Sequence, residues 1–272
     1  MCDARHSILD SDPLSLFRER TSSSEGRAMH LGVVVVSAAL LPATLLPVAN
    51  ASAGCSPGTD GPDQIYCSDY DDVHEGDAGG DLVVGRGGDD LLRGGKGNDR
   101  IYGDGGIDVL VGEDDEDRLY GGPGADSLAG RDGDDWLEGS TGADGLSGGP
   151  GWDQIDGGPE DDELKGGTGA DRLDGGDGDD LVSGGDGEDL IYGHPGSDRI
   201  YGGGRPDEIY GGAGNDHVQP GRGIDVVFSG DGDDFVDVVD GQVDRVYCGT
   251  GSDRVVADKV DKVGPGCERV ER

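Results

Sequence analysis

From Gly58 onward the chain repeats one pattern of apolar and polar positions every nine residues. Twenty blocks run without insertion, from GTDGPDQIY (58–66) to SGDGDDFVD (229–237). Val238 then breaks the phase, and two looser blocks follow, VDGQVDRVY (239–247) and CGTGSDRVV (248–256). The eighth position is apolar in every block but one, where it is His74. A lone apolar residue between two variable neighbours makes a minimal strand, with position 8 inward and positions 7 and 9 outward. The pattern therefore predicts a strand in every block and a solenoid built by repetition.

The remaining positions predict the turns. Position 1 is Gly in 17 of the first 20 blocks and position 4 in 16. Glycine at both places, and often at position 2, is expected to supply positive φ and tight turns. Position 6 is Asp in all 22 blocks, from Asp63 and Asp72 to Asp244 and Asp253. A turn needs Gly, Asn or Asp somewhere, but not a carboxylate at one place every time. Stacked carboxylates repel one another unless a cation sits between them. Carboxylate oxygens together with turn carbonyls are the ligands that a hard cation such as Ca²⁺ prefers.

GGKGNDRIY (94–102), GGPGADSLA (121–129), GGTGADRLD (166–174) and GGAGNDHVQ (211–219) resemble the G-G-x-G-x-D-x-U-x nonapeptide of the repeats-in-toxin (RTX) calcium-binding proteins. The resemblance spans residues 58 to about 256. It implies an all-β fold, a parallel β-roll (a β-helix or solenoid) of about 22 repeats with two short parallel sheets. The first six residues of each block would form a turn, the last three a strand, and two blocks one coil. Multiple Ca²⁺ ions would lie between turns stacked on one edge. The carboxylates implied as ligands are Asp81, Asp90, Asp99, Asp108, Asp126, Asp135, Asp144, Asp153, Asp171, Asp180, Asp189, Asp198, Asp216, Asp225 and Asp234. The turn carbonyls implied beside them come from Gly95, Gly97, Gly122, Gly124, Gly167, Gly169, Gly176, Gly178, Gly185 and Gly187.

Charge and composition point the same way. The net charge is −38, and residues 1–57, with four Arg against five Asp or Glu, hold only −1 of it. So acidic a body excludes nucleic acid as a partner. An acidic, glycine-rich, aromatic-poor chain ordinarily stays disordered. One inward aliphatic per block is a thin core, so folding is expected to need the bound ion.

The amino end is read as an export signal. Residues 31–49, LGVVVVSAALLPATLLPVA, form an apolar run, and Ala49-Asn50-Ala51 and Ala51-Ser52-Ala53 follow as small-residue cleavage sites. Cleavage after Ala51 or Ala53 would leave no stable membrane span. The expected division is 1–53 as extension and signal peptide, 54–57 as lead-in, 58–256 as the roll, and 257–272 as a carboxyl cap. Four cysteines follow the signal: Cys55 and Cys67 at one end, Cys248 and Cys267 at the other. An even number suits a secreted chain and permits three connectivities. Placement favours 55–67 and 248–267, one staple across each end, where a solenoid exposes sheet edges.

A longer period lies above the first. Position 4 lacks Gly at Tyr70, Asp115, Glu160 and Arg205, spaced by 45 residues each time. These side chains must adopt the conformation that Gly supplies elsewhere, and weaker or distorted calcium sites are expected there. Position 9 of alternate blocks is rich in aromatics, including Tyr66, Tyr102, Tyr120, Tyr192, Tyr210 and Phe228. Stacking between neighbouring strands explains such a row, and so does a surface for a partner or glycan.

No catalytic constellation emerges, and the expectation is that the protein is not an enzyme. Gly145-Leu146-Ser147-Gly148-Gly149 fits G-x-S-x-G, but it straddles two nonapeptides and places Ser147 on an outward strand position. His74, His194 and His217 fall at different block positions, so no triad or zinc cluster assembles. The few residues between the expected signal and Gly58, and the 16 after Val256, are expected to leave no room for a catalytic domain beside the repeats. The sequence thus predicts a secreted or cell-surface calcium-binding structural or interaction module. An adhesion protein using a Tyr/Arg-rich face is the alternative, its protein or glycan partner unknown. A toxin or hydrolase is disfavoured.

Overall fold

The computed structural model describes residues 54–272, and the expected signal peptide and extension lie outside the described residues. Twenty-four strands alternate between two parallel sheets of twelve. β1 (Gln64–Tyr66) and β3 (Leu82–Gly87) begin one sheet, and β2 (Val73–Glu75) and β4 (Leu91–Lys96) begin the other. The sheets end at β23 (Lys262–Val263) and β24 (Arg269–Glu271). The register is one coil per 18 residues: Ile65 pairs with Val83, and Leu146 with Leu164. Among the described residues no helix is long and apolar enough to cross a membrane.

The core is the row of eighth positions. Leu92, Ile101, Leu119, Leu137, Leu173 and Ile209 are fully buried, and their counterparts in neighbouring coils continue the row. Burying one aliphatic side chain contributes about 1.5–3 kcal/mol, so the row stabilises in proportion to the number of coils. His74 takes a place in this row. Burial lowers its imidazole pKa, which favours the neutral ring.

Three expectations need correction. The strands are six residues long through most of the roll, not three, because the ladder resumes after position 1 and includes positions 2 and 3 of the next block. The turn is correspondingly three residues, as at 88–90. Position 1 is Gly for a different reason than φ. A Cβ on Gly94 would lie 2.1 Å from the Asp99 carboxylate, so the side chain is excluded by the aspartate five residues on. At positions 2 and 4 positive φ is found as expected, for example at Gly97 (φ 106), where a Cβ would meet the Gly79 carbonyl oxygen at 2.0 Å. The roll also runs past its last recognisable block. β23 and β24 add one more coil to the expected 22 half-coils, built from the tail that the sequence assigns to a cap.

Cys55 is bonded to Cys67 and Cys248 to Cys267, the pairing favoured by placement. Each bond holds the last segment of chain against the terminal coil.

Candidate metal centre

Each turn places its position-6 aspartate at the sheet edge, pointing inward. Even blocks turn on one edge and odd blocks on the other, so the aspartates form two columns. Within a column every carboxylate is tied to the coil before it. The Asp81 amide donates to Asp99 Oδ1 at 2.7 Å, Asp99 to Asp117 at 2.8 Å, and Asp117 to Asp135 at 2.8 Å. The other edge repeats this, with Asp90 to Asp108 at 2.8 Å and Asp126 to Asp144 at 2.7 Å.

The second oxygen has no such bond. Oδ2 is buried without a hydrogen-bond partner in twenty aspartates, from Asp81 to Asp253. All fifteen carboxylates implied by the resemblance are among them. So are Asp117, Asp162 and Asp207 from the irregular turns, and Asp244 and Asp253 from the looser blocks. An unpaired polar atom of this kind is costly to bury.

In the middle coils of the roll burial pushes these carboxyls well above the ordinary range. Asp99, Asp108 and Asp144 rise to about 6, Asp126 and Asp153 to about 7, and Asp117, Asp162 and Asp207 to about 8. Desolvation is the largest cause in each. The backbone amide of the preceding coil opposes it, and nearby carboxylates reinforce it.

Turn carbonyls complete the surroundings. A Cβ on Gly187 would lie 1.5 Å from the Gly169 carbonyl oxygen and 2.5 Å from Asp189 Oδ1, so both oxygens face one small space between stacked turns. The position-4 glycines Gly97, Gly124, Gly169, Gly178 and Gly187 line this space. Position 2 differs: the Asp77 carbonyl accepts the Lys96 amide at 3.0 Å and Gly230 that of Thr250 at 3.1 Å, so position-2 carbonyls carry ladder bonds. Gly95, Gly122, Gly167, Gly176 and Gly185 are at that position. Each carboxylate thus turns Oδ1 toward the position-4 turn and leaves Oδ2 buried and unpartnered beside the position-1 glycine; a column of such carboxylates next to turn carbonyls fits a hard divalent cation, which supplies charge compensation that no side chain in the column provides.

The columns are closed differently at their ends. Asp63 Oδ2 accepts the Thr59 amide at 2.7 Å and hydroxyl at 2.8 Å, and Asp72 Oδ2 accepts those of Ser68 at 2.8 and 2.7 Å. Cys55, Cys67 and Asp72 lie close together, but the disulfide removes both thiolates as ligands. At the carboxyl end Asp261 Oδ1 accepts the Asp244 amide at 3.2 Å, and Glu268 Oε2 that of Asp253 at 2.9 Å. The nine-residue count missed these two. Their signal was Asp261-Lys262-Val263 and Glu268-Arg269-Val270, an acid two residues before an aliphatic, at shortened spacing.

Against known protein families, the chain matches the RTX calcium-binding nonapeptide repeat at residues 75–110, 102–137, 111–146, 129–164, 156–191, 192–227 and 221–242. Together these stretches cover more than half of its length. The chain belongs to the RTX calcium-binding nonapeptide repeat family. No curated protein matches it.

Within this RTX roll the 45-residue exceptions are local rearrangements. Asp115, Glu160 and Arg205 adopt left-handed φ of 81, 82 and 76, whereas Tyr70 does not. Asp115 Oδ2 accepts the Gly97 amide at 3.1 Å and Glu160 Oε2 the Gly142 amide at 3.0 Å, so each acid reaches back to position 4 of the preceding coil. Arg205 lies 3.7 Å from Asp186 at the same kind of edge. Position 2 also holds non-glycine residues at positive φ, among them Arg86, Arg131 and His194.

Proposed function

We propose that this protein is a secreted RTX roll that folds on binding Ca²⁺ outside the cell and serves as a structural or interaction module. The observation that carries the reading is the set of twenty buried Oδ2 atoms without partners. Without a cation each needs a proton or an expanded turn, and a roll with one aliphatic per half-coil has little to offset that cost. The site aspartates and position-4 carbonyls would hold the ions, which supply the charge compensation. The chain's own part is to fix the carboxylates by the amide ladder and to keep the turns narrow with glycine. Two disulfides and the apolar segment at 31–49 support export to an oxidising, calcium-rich compartment.

Far-UV circular dichroism of the chain from Gly54 onward, titrated with Ca²⁺ from a chelated start and with Mg²⁺ as control, tests this. A cooperative coil-to-β transition with calcium, absent with magnesium at the same concentration, is expected. A β-rich spectrum in chelator, unchanged by calcium, would overturn it.

Adhesion through the tyrosine faces loses support from the way those faces are used. Tyr102 stacks on Tyr120 at 4.7 Å, and Tyr192, Tyr210, Phe228 and Tyr247 form a continuous stack at 4.9–5.0 Å. The rings satisfy one another, as cross-strand stabilisation requires.

A further inference from the structure

The aromatic ridge on this sheet has a gap. Between the Tyr102–Tyr120 pair and the stack that begins at Tyr192, three strands carry acids at position 9: β9 (Trp136–Thr141), β11 (Gln154–Pro159) and β13 (Arg172–Asp177). Glu138 pairs with Asp156, and Asp156 with Asp174, so the ridge is replaced by three short carboxylates in register. Like charges placed directly opposite one another destabilise a sheet, so nothing in strand pairing explains the row.

A cavity of about 160 Å³ opens at this gap, lined by Trp136, Gln154, Asp156, Arg172 and Asp174 over the backs of Leu137 and Ile155. Trp136 forms one wall and is 39% exposed. Arg172 forms the other, with its guanidinium 4.6 Å above the Tyr192 ring and 3.5 Å from Asp174. His194 holds Asp174 from the far side at 2.8 Å. The Arg172 wall is thus fixed in orientation before anything binds. Burial, followed by the charges of Asp174 and Glu138, raises the Asp156 carboxyl pKa.

Trp136 and Arg172 stand on strands two rungs apart, roughly 9.5 Å at ordinary strand spacing. A single ring between them would lie about 4.8 Å from each, the spacing at which the ridge's own rings stack. At position 7 the middle rung carries the Gln154 amide rather than a ring, with Asp156 two residues on along the same strand. The lining therefore has a flat indole, an amide, a guanidinium and carboxylates. A cationic side chain would meet Arg172, and an anionic group would meet Glu138, Asp156 and Asp174. A neutral polyhydroxylated ring meets donors and acceptors together, with its C–H face available to the indole.

We infer that this notch binds a neutral sugar residue of a glycan, seated on Trp136 and hydrogen-bonded through adjacent hydroxyls to Gln154, Asp156 and Arg172. The inference needs the roll to be folded but does not rest on how calcium folds it.

The full chain, held in excess calcium, is applied to a printed panel of neutral and uronic-acid oligosaccharides and, separately, to an octalysine peptide. The strongest-binding panel member is then titrated by calorimetry. A neutral oligosaccharide is expected to bind. Trp136→Ala should weaken it by about tenfold or more, a change of about 1.4 kcal/mol. Trp152→Ala, exposed on the turn edge, should leave it unchanged. The circular dichroism of both variants in calcium should match the parent. Absence of binding across the panel, equal binding by the Trp136 variant, or preference for octalysine overturns the inference. A roll already folded in chelator would defeat the calcium-folding reading and leave the sugar titration fully interpretable.

Discussion

A single column aspartate carries two opposite obligations. Asp153 is fully buried, its Oδ1 accepts the Asp135 amide at 2.9 Å, and its Oδ2 has no partner. Asp153→Asn keeps an acceptor for the amide and removes the charge. In calcium the variant is expected to be destabilised by about 1–3 kcal/mol, the scale for losing a partner of a buried charged group, and its calcium midpoint should rise. In chelator at neutral pH the same change should favour the compact state, because the column holds one fewer uncompensated carboxylate. Circular dichroism with and without calcium reads both signs, and a shift of the same sign in both conditions contradicts the column as a cation site. Glycine in the turn is equally constrained. Gly97→Ala places a Cβ against the Gly79 carbonyl at positive φ, and is expected to cost more than about 1 kcal/mol.

At the scale of the element, the sequence made the inward row and the aspartate columns legible, because both repeat with a fixed period and each has one chemical identity. Strand length was not legible. Residues at positions 2 and 3 range over Gly, Pro, Asp, Glu, Ser, Thr, Ala, Lys, Arg and His, and they join the ladder through backbone rather than through any side-chain preference. The last coil was hidden because its turns are shortened, although Asp261 and Glu268 continue both columns. The Cys248–Cys267 bond ties that coil to the one before it. Replacing both Cys248 and Cys267 by Ser, which leaves the Cys55–Cys67 bond intact, is expected to cost about 2–4 kcal/mol and to raise amide exchange first in β23 and β24; uniform exchange along the roll would contradict this. The irregular turns carry their own expectation. Asp115 and Glu160 bring a second carboxylate to an edge and occupy an amide of the preceding coil, so calcium geometry should be distorted there. In crystals soaked with calcium, anomalous peaks at the turns of residues 115, 160 and 205 should be weaker than at 124 or 169. Equal peaks at all of them would show that the extra side chain is accommodated without cost.

For the whole molecule, the two columns act as one pH-dependent quantity. An unfolded aspartate titrates near ~3.9, whereas burial raises the folded value to about 6 at Asp108, about 7 at Asp153 and about 8 at Asp162. A raised folded pKa means that the folded state binds the proton more tightly. Without calcium this contribution is fully present below the unfolded value and is lost as pH rises through about 6 to 8. Acid should therefore favour a calcium-free roll, and neutral pH should disfavour it. Calcium reverses the dependence, because the ion displaces the protons: the calcium midpoint should fall steeply from pH 5 to pH 8 and level off above the highest carboxyl values. Titrations followed by circular dichroism at pH 5, 7 and 9 measure this directly. Equal midpoints at pH 5 and 9 would mean that the carboxylates are already ionised in acid, and that the buried Oδ2 atoms find compensation from somewhere other than a proton or a metal.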